Sequence, residues 1–550
     1  MKKLFYKIKT NDRLDFYLAM LVPSIILIKR LLISRYGINW ESAMELENIF
    51  LVLDGQLIYR DFPWYHGFFP IYWHALIFKI FSPEIYYLRL FVTIFAVIAS
   101  FFAYRVARFF LVPWISVSVS LLAFTGLIVP EHSTGEMMAF CCITISFYFL
   151  LQYCNTSQSR LIFFAGLMGG LCTLAQILHL GLFALIGGVI SIACYGLFGS
   201  RKFWGNINIF IFGYLPIPLL CYGLLAIFVS PGDLMSNLFP DFAGTQVSSD
   251  ARPTFPYPSL IPAIGFGQSL PELISNLNKY LFINLRWWMI SLVFVWGFIE
   301  FLLSWKRKNL SEKELLLLGT LVLYGPLFEA KAILIAGPAG IMSTYINMLP
   351  TYVLLFYLIG QIYNFKRLCS VLAVVFLLIY FFYPFGKYYY YFFRNAVPLN
   401  MPYSRGISVS PYKQDLYHKT VEFISSNTQK DDTIVMSGLN HYFSIFSNRY
   451  DLFRDQSTIF WQTSFNPANK AIGLSTRFAY EAENKIINQT EQANAKLILL
   501  PDGYQSYVDP INSPYLSYLD RQWNKVIRIG DYSLFNPYDY EPAIFIYERK

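Results

Sequence analysis

Between Asn39 and Trp73 the chain reads NWESAMELENIFLVLDGQLIYRDFPWYHGFFPIYW. Five carboxylates (Glu41, Glu45, Glu47, Asp54 and Asp61) stand there with Arg60 and His66, set among aromatic residues and flanked by apolar segments. A carboxylate held at a membrane surface can act as a general base. A nearby cation can meet an anion whose charge grows during reaction. Glu41, Glu45 and Asn48 recur at helical spacing after Trp40, with Met44, Ile49 and Leu53 available for an apolar face. The spacing predicts a short helix lying on the bilayer with Glu41 at its N-terminal end, where the helix dipole favours a carboxylate. Asp61 and His66 then fall just before a second apolar stretch, FFPIYWHALIFKIF (68–81). That stretch is short for a span and suits an interfacial helix.

The elements that must position these groups are membrane spans. Of the 550 residues 56% are hydrophobic, 19% aromatic and only 14% charged, far below the roughly 25% charged residues of an average soluble domain. Long uncharged runs such as FYLAMLVPSIILI and VLAVVFLLIYFFY lack period-two alternation. They predict a polytopic α-helical membrane protein and exclude a barrel. No small-residue cleavage site follows the first apolar run, which is therefore read as a retained span. Basic clusters fix the expected orientation: Lys2 to Arg13, Arg105 with Arg108, Arg160, Arg201 with Lys202, residues 306–308, and Lys366 with Arg367 all fall on one side of about 11 spans. The N-terminus is thus expected in the cytoplasm of a cell-membrane protein. Residues 34–84, 131–136, 231–280 and 386–550 are expected outside. The group Lys29, Arg30 and Arg35 is the exception to this pattern. The seven cysteines lie in or beside apolar segments, which argues against a disulfide framework. The net charge of +9 is spent in short loops, and no basic face for nucleic acid is evident.

From about residue 405 the texture changes. TVEFISSNTQKDDTIVMSG reads as an amphipathic helix, a turn and a buried strand, and AENKIINQTEQANAKLILLP repeats the pattern. NKVIRIGDYSLF and PAIFIYER read as later strands. The expected organisation is a membrane module over 1–385, a linker over 386–404 and a small extracytoplasmic α/β domain over 405–550. No phosphate-binding loop or dinucleotide fingerprint occurs in it.

Taken together, the arrangement resembles the GT-C class of membrane glycosyltransferases. The similarity is to the branch near the protein O-mannosyltransferases and the lipid A aminoarabinose transferases. The segments that carry it are FLVLDGQLIYRDF and YHGFFPIYW, with YSRGISVSP and YFSIFSNRYDLF in the C-terminal part. The sequence departs from the class in two places. Glu41, after Asn39-Trp40, stands where an aspartate is commoner, and Gly67 is followed by Phe68 and not proline. The resemblance implies a catalytic acid soon after the first span, which makes Glu41 the candidate base and Asp61 a second catalytic candidate. It implies sugar transfer from a polyprenyl-phosphate donor to an extracytoplasmic lipid, glycan or protein acceptor, with inversion.

Candidates to bind the substrate and its phosphate are Arg60, His66, Lys331 and Arg405. Lys331 stands with Glu329 between apolar runs, where ionisable groups are costly and usually functional. In EHSTGE the class implies a second acid lining the site, and Glu136 is the choice. No motif demands a cofactor. Glu and His ligands could hold Mg²⁺ or Mn²⁺, though no spacing identifies a metal site. The alternatives are a non-enzymatic lipid or polysaccharide transporter or assembly component, and a polysaccharide polymerase or ligase. Transporters carry ionisable groups and helix breakers at mid-span. Here the acids collect in loops, which favours an enzyme.

Overall fold

The computed structural model describes residues 12–38, 40–62, 64, 67–124, 134–176, 180–197, 203–238, 292–308, 310–328, 348–363, 395–436, 442–452, 486–501, 513–530 and 543–550, with a few isolated positions. Among the described residues four helical stretches are long and apolar enough to cross a membrane: Arg13–Ile33, Ile85–Ala107, Gly135–Thr156 and Trp204–Leu225. They belong to α1 (Asp12–Ile33), α4 (Ile85–Ala107), α6 (Thr134–Thr156) and the pair α9 (Phe203–Tyr214) and α10 (Pro216–Leu225). Shorter apolar helices join them: α5 (Pro113–Ala123), α7 (Ser159–Ala175) and α8 (Leu182–Leu197). Beyond α11 (Pro231–Leu238) come α12 (292–307), α13 (Glu312–Phe328) and α14 (Leu349–Tyr363). The segment expected as an eleventh span, 368–385, lies almost wholly outside the described residues.

Two polar clamps set α1 against α4. At one end Asp15 accepts hydrogen bonds from Tyr104 (2.8 Å) and Arg108 (2.6 Å). At the other end Arg89, in the first turns of α4, donates to the carbonyls of Ser34 (3.0 Å), Tyr36 (3.2 Å) and Gly37 (2.8 Å), just past the end of α1. The two helices are therefore antiparallel, and both ends of the 34–84 segment meet at one end of the bundle. Among the described residues between them no helix is long and apolar enough to cross a membrane. Within the segment, α3 (Phe69–Ile80) has 12 residues, about 18 Å at 1.5 Å per residue and well short of the roughly 30 Å hydrocarbon core.

The exception to the basic-cluster pattern has a physical reason here. Lys29 and Arg30 are each 3% exposed, buried within the protein at the end of α1. They do not mark a loop facing either side of a membrane.

Helix α2 (Trp40–Leu53) follows directly from α1. It stops where Gly55 adopts φ +87°, a left-handed conformation that glycine enters without strain. Gly55 N–H bonds to Val52 O (3.1 Å) and Gln56 N–H to Leu51 O (3.0 Å), the paired contacts of a Schellman cap. The glycine of the FLVLDGQ segment is thus a helix terminator.

The C-terminal part opens with a two-stranded pairing of β1 (Val397–Pro398) and β2 (Ser408–Val409). A mixed five-stranded sheet follows in the order β4-β3-β5-β7-β6. Its strands are β3 (Thr433–Met436), β4 (Tyr450–Asp451), β5 (Leu497–Pro501), β6 (Trp523–Ile529) and β7 (Ile544–Arg549). Pleating divides the burial. Ile434, Met436, Leu497, Leu499, Ile544 and Ile546 face one layer with α15 (Pro411–Asn427) and α16 (Tyr442–Ser447). Val435, Ile498 and Leu500 face the other, with α17 (Pro514–Gln522). Helices α15 and α17 both start with a capping serine, Ser410 and Ser513, followed by proline in the first turn.

Candidate active site

The geometry begins at the short strap between α1 and α2. Besides the three bonds from Arg89, its Ile38 carbonyl accepts from Lys413 Nζ (3.2 Å), and Lys413 is itself buried in α15. Strand β2 runs alongside: Gly37 N–H bonds to Ser408 O (2.8 Å), and Ser408 N–H bonds to Arg35 O (2.7 Å). Ile85 N–H bonds to Tyr403 O (2.9 Å), tying the start of α4 to the β1–β2 loop. The strap leading to Glu41 is therefore held from below by α4 and from above by the C-terminal part. A guanidinium can serve three carbonyls at once because its donors form a planar fork.

Glu41 lies in the first turn of α2, three residues past the carbonyl that Lys413 holds. Its side chain is outside the described residues, as is that of Met44. The helix does not lie open on a surface as its sequence suggests. Glu45 (2% exposed), Glu47 (4%) and Asn48 (6%) are as buried as Ala43, Leu46 and Ile49. Positions 45 and 47 are about 200° apart on an α-helix, so more than one face is covered. The reason is the layer above: the same apolar cluster unites Leu46 and Ile49 with Tyr412, Tyr417, Tyr442 and Phe443 of α15 and α16.

Past α2, Asp61 accepts two hydrogen bonds from Arg60 (Nε to Oδ1 and Nη2 to Oδ2, both 2.8 Å) and one from the Leu57 backbone N–H (2.7 Å). The Arg60 hydrogen bonds, then that of Leu57, hold its carboxyl down at about 2. Asp61 stays ionised at any ordinary pH. An acid limb in a pH–activity profile near neutrality must then come from another group. Asp61→Asn is expected to leave the midpoint of such a limb in place, whatever it does to the rate. A shifted midpoint would contradict this assignment.

Next, Trp64 Nε1 donates to Gly67 O (3.1 Å), and Gly67 N–H bonds to Ala175 O (3.1 Å) at the end of α7. A Cβ on Gly67 would lie 1.9 Å from the Leu174 carbonyl oxygen. Only glycine permits this approach, so the glycine of YHGF docks the loop onto the bundle. Trp64 is 4% exposed, so its ring is buried in this contact. His66 lies outside the described residues. Buried His74 instead carries the polar contacts of α3, with Nδ1 2.8 Å from Pro70 O and Nε2 3.4 Å from Leu88 O. Burial lowers its pKa to about 4, so it is neutral at neutral pH and donates to one of these two carbonyls at a time.

The packing places Glu136 at this same end. The end of α7 meets Gly67, and α6 precedes α7 through a two-residue turn, so the first turn of α6, with half-buried Glu136, points the same way. Arg405 is exposed on the β1–β2 loop, its backbone N–H bonded to Glu84 Oε2 (3.0 Å). Glu41, Arg60, Asp61, Glu136 and Arg405 thus share one end of the bundle. Lys331 lies outside the described residues.

No protein-family model matches the chain, and no curated protein matches it in sequence. Among solved structures it is similar to an oligosaccharyltransferase of Archaeoglobus fulgidus in complex with zinc and sulfate: 14% identity, TM-score 0.49, covering 96% of this chain and 72% of that one. It is also similar to ArnT from Cupriavidus metallidurans in the apo state (11% identity, TM-score 0.49) and bound to undecaprenyl phosphate (11% identity, TM-score 0.47). Each of these two comparisons covers 96% of this chain and 97% of the other.

Two residues that hold the strap escape a reading of the sequence. Arg89 had a signal: a lone cation near the start of the apolar run YYLRLFVTIF, where a charge needs a partner. Lys413 had none, since a lysine in the first turns of a polar helix is unremarkable until its carbonyl partner 375 residues away is known. Among the described residues no group of three or more His, Cys, Asp or Glu side chains comes together as a metal site.

Proposed function

We propose that the chain is an integral-membrane glycosyltransferase, with about 11 spans, an N-terminus in the cytoplasm and a C-terminal α/β domain outside. It moves a sugar from a polyprenyl-phosphate donor to an extracytoplasmic lipid, glycan or protein acceptor. The observation that carries the reading is the strap: two buried cations from opposite layers, Arg89 and Lys413, grip the backbone that ends at Glu41. Such support keeps a general base within the narrow tolerance that proton transfer needs.

In the proposed reaction the acceptor oxygen attacks C1 of the sugar as Glu41 takes its proton. The bond from C1 to the phosphate oxygen breaks, and its electron pair leaves on the lipid phosphate. Arg60, His66, Lys331 and Arg405 are proposed to bind the substrate and its phosphate, with Glu136 lining the site. Asp61, ionised and bidentate on Arg60, orients that guanidinium.

The donor tests the reading. Purified protein in lipid nanodiscs is expected to transfer sugar from a polyprenyl-phosphate donor and not from a nucleotide sugar alone. Efficient transfer from a nucleotide sugar without lipid donor would refute it. Orientation is tested with single cysteines in a cysteine-free background. Those at Gln56 and Lys430 are expected to react with an impermeant thiol reagent from outside, and one at Lys306 to be protected. The reverse pattern would place the site on the wrong face for a lipid-linked donor already carried across.

A further inference from the structure

An open cavity of about 640 Å³ lies at the seam between the bundle and the C-terminal part. Arg35, Tyr36 and Glu84 line it from the bundle side, and residues 398–408 from the β1–β2 loop. Two guanidinium groups border it. That of Arg35 rests on the ring of Tyr86 (5.7 Å), and that of Arg405 has no hydrogen-bond or ion-pair partner among the described residues. Glu84 is the acid in the lining, and one of its oxygens already accepts from the Arg405 backbone. The loop is built to hold its shape. Ser404 is 1% exposed and closes a turn on Met401 through both its backbone and its hydroxyl, and Gly406 sits at φ +76°.

We infer that this cavity is a subsite for an acidic sugar of the acceptor, a sugar carrying a carboxylate or a phosphate. The inference rests on the glycosyltransferase reading above. Arginine matches a planar carboxylate or a phosphate with paired donors. The ring hydroxyls of a sugar supply donors that the second oxygen of Glu84 can accept, and Tyr36 and Tyr403 offer ring surfaces beside them. A bare inorganic anion would use the two arginines and be repelled by Glu84. A polyprenyl tail would need a wall of span residues, and this lining is drawn from loops and the extreme ends of elements. Tyr36 and Arg35 also belong to the strap that leads to Glu41.

Binding can be measured without turnover, which separates this claim from the claim of transfer. The protein in neutral-lipid nanodiscs is titrated with trigalacturonate, with neutral galactotriose, with inorganic phosphate and with undecaprenyl phosphate. Trigalacturonate is expected to bind more tightly than galactotriose and than phosphate, and to weaken as salt rises. Arg35→Gln and Arg405→Gln are each expected to weaken trigalacturonate about tenfold, the scale of a lost charge-assisted hydrogen bond, and Arg35→Gln to leave undecaprenyl phosphate affinity unchanged. Both side chains lie at the surface, so melting temperatures near wild type will show the variants folded. Equal binding of the acidic and neutral trisaccharides would overturn the inference. So would phosphate binding as tightly as trigalacturonate, which marks a simple anion site, or a parallel loss for undecaprenyl phosphate in Arg35→Gln, which marks a donor site. Acidic-sugar binding with no transfer activity would sink the proposed function and leave the subsite standing.

Discussion

Glu41→Gln is expected to lower turnover by roughly 10²–10⁴-fold, the usual scale for loss of a general base. The substitution keeps size and hydrogen-bonding capacity and removes the charge. Its position in the first turn of α2 makes it mild for folding, because the dipole stabilisation lost at a helix start is about 0.3–1 kcal/mol. Expression and melting temperature should stay close to wild type, and the donor KM should move little. A variant that transfers sugar at near-normal rate would remove Glu41 from the mechanism. Glu41→Asp is informative as well: it restores the charge on a shorter stem and should recover part of the rate.

Arg89→Lys is the second large effect expected, and it comes from a residue that touches no substrate. Lysine keeps the charge but has one ammonium where three carbonyls, of Ser34, Tyr36 and Gly37, now share a forked guanidinium. The strap should loosen by a fraction of a hydrogen-bond length. A misplacement of 1 Å can cost about 10²-fold in rate. The expected pattern is a fall in kcat of that order with donor KM largely preserved, since the base is displaced and the donor site is not. A merely structural role would show as lower stability and yield with kcat per folded molecule intact. That outcome would remove Arg89 as a positioning residue. Arg89→Leu should be worse on both counts, because it leaves three buried carbonyls without their donor.

Much of this architecture is legible in the sequence because its signals are local. Helix α2 is visible in the spacing of Glu41, Glu45 and Asn48, and the interfacial length of α3 in the shortness of 68–81. Four of the five strands of the C-terminal sheet form where DDTIVM, KLILL, NKVIRI and AIFIYER stand, and the short β4 gave no such signal. What escapes is set by long-range packing. Glu45 and Glu47 read as surface acids, since nothing near them in the chain announces that α15 and α16 close over α2. Lys29 and Arg30 read as a violation of charge topology when they are buried cations. The Arg60–Asp61 pair was offered as two separate candidates, and only geometry shows them bonded to each other. The glycines were legible as motif letters without their causes: Gly55 ends a helix, and Gly67 admits a neighbouring backbone.

In the proposed reaction a single carboxylate acts on the acceptor hydroxyl, which commits it to one direct displacement at C1. The measurement that tests this most directly is the anomeric configuration of the product, read by NMR from wild-type protein supplied with a polyprenyl-phosphate sugar of known configuration. Inversion at C1 is the predicted result. Retention would exclude a direct back-side displacement and would contradict the role given to Glu41.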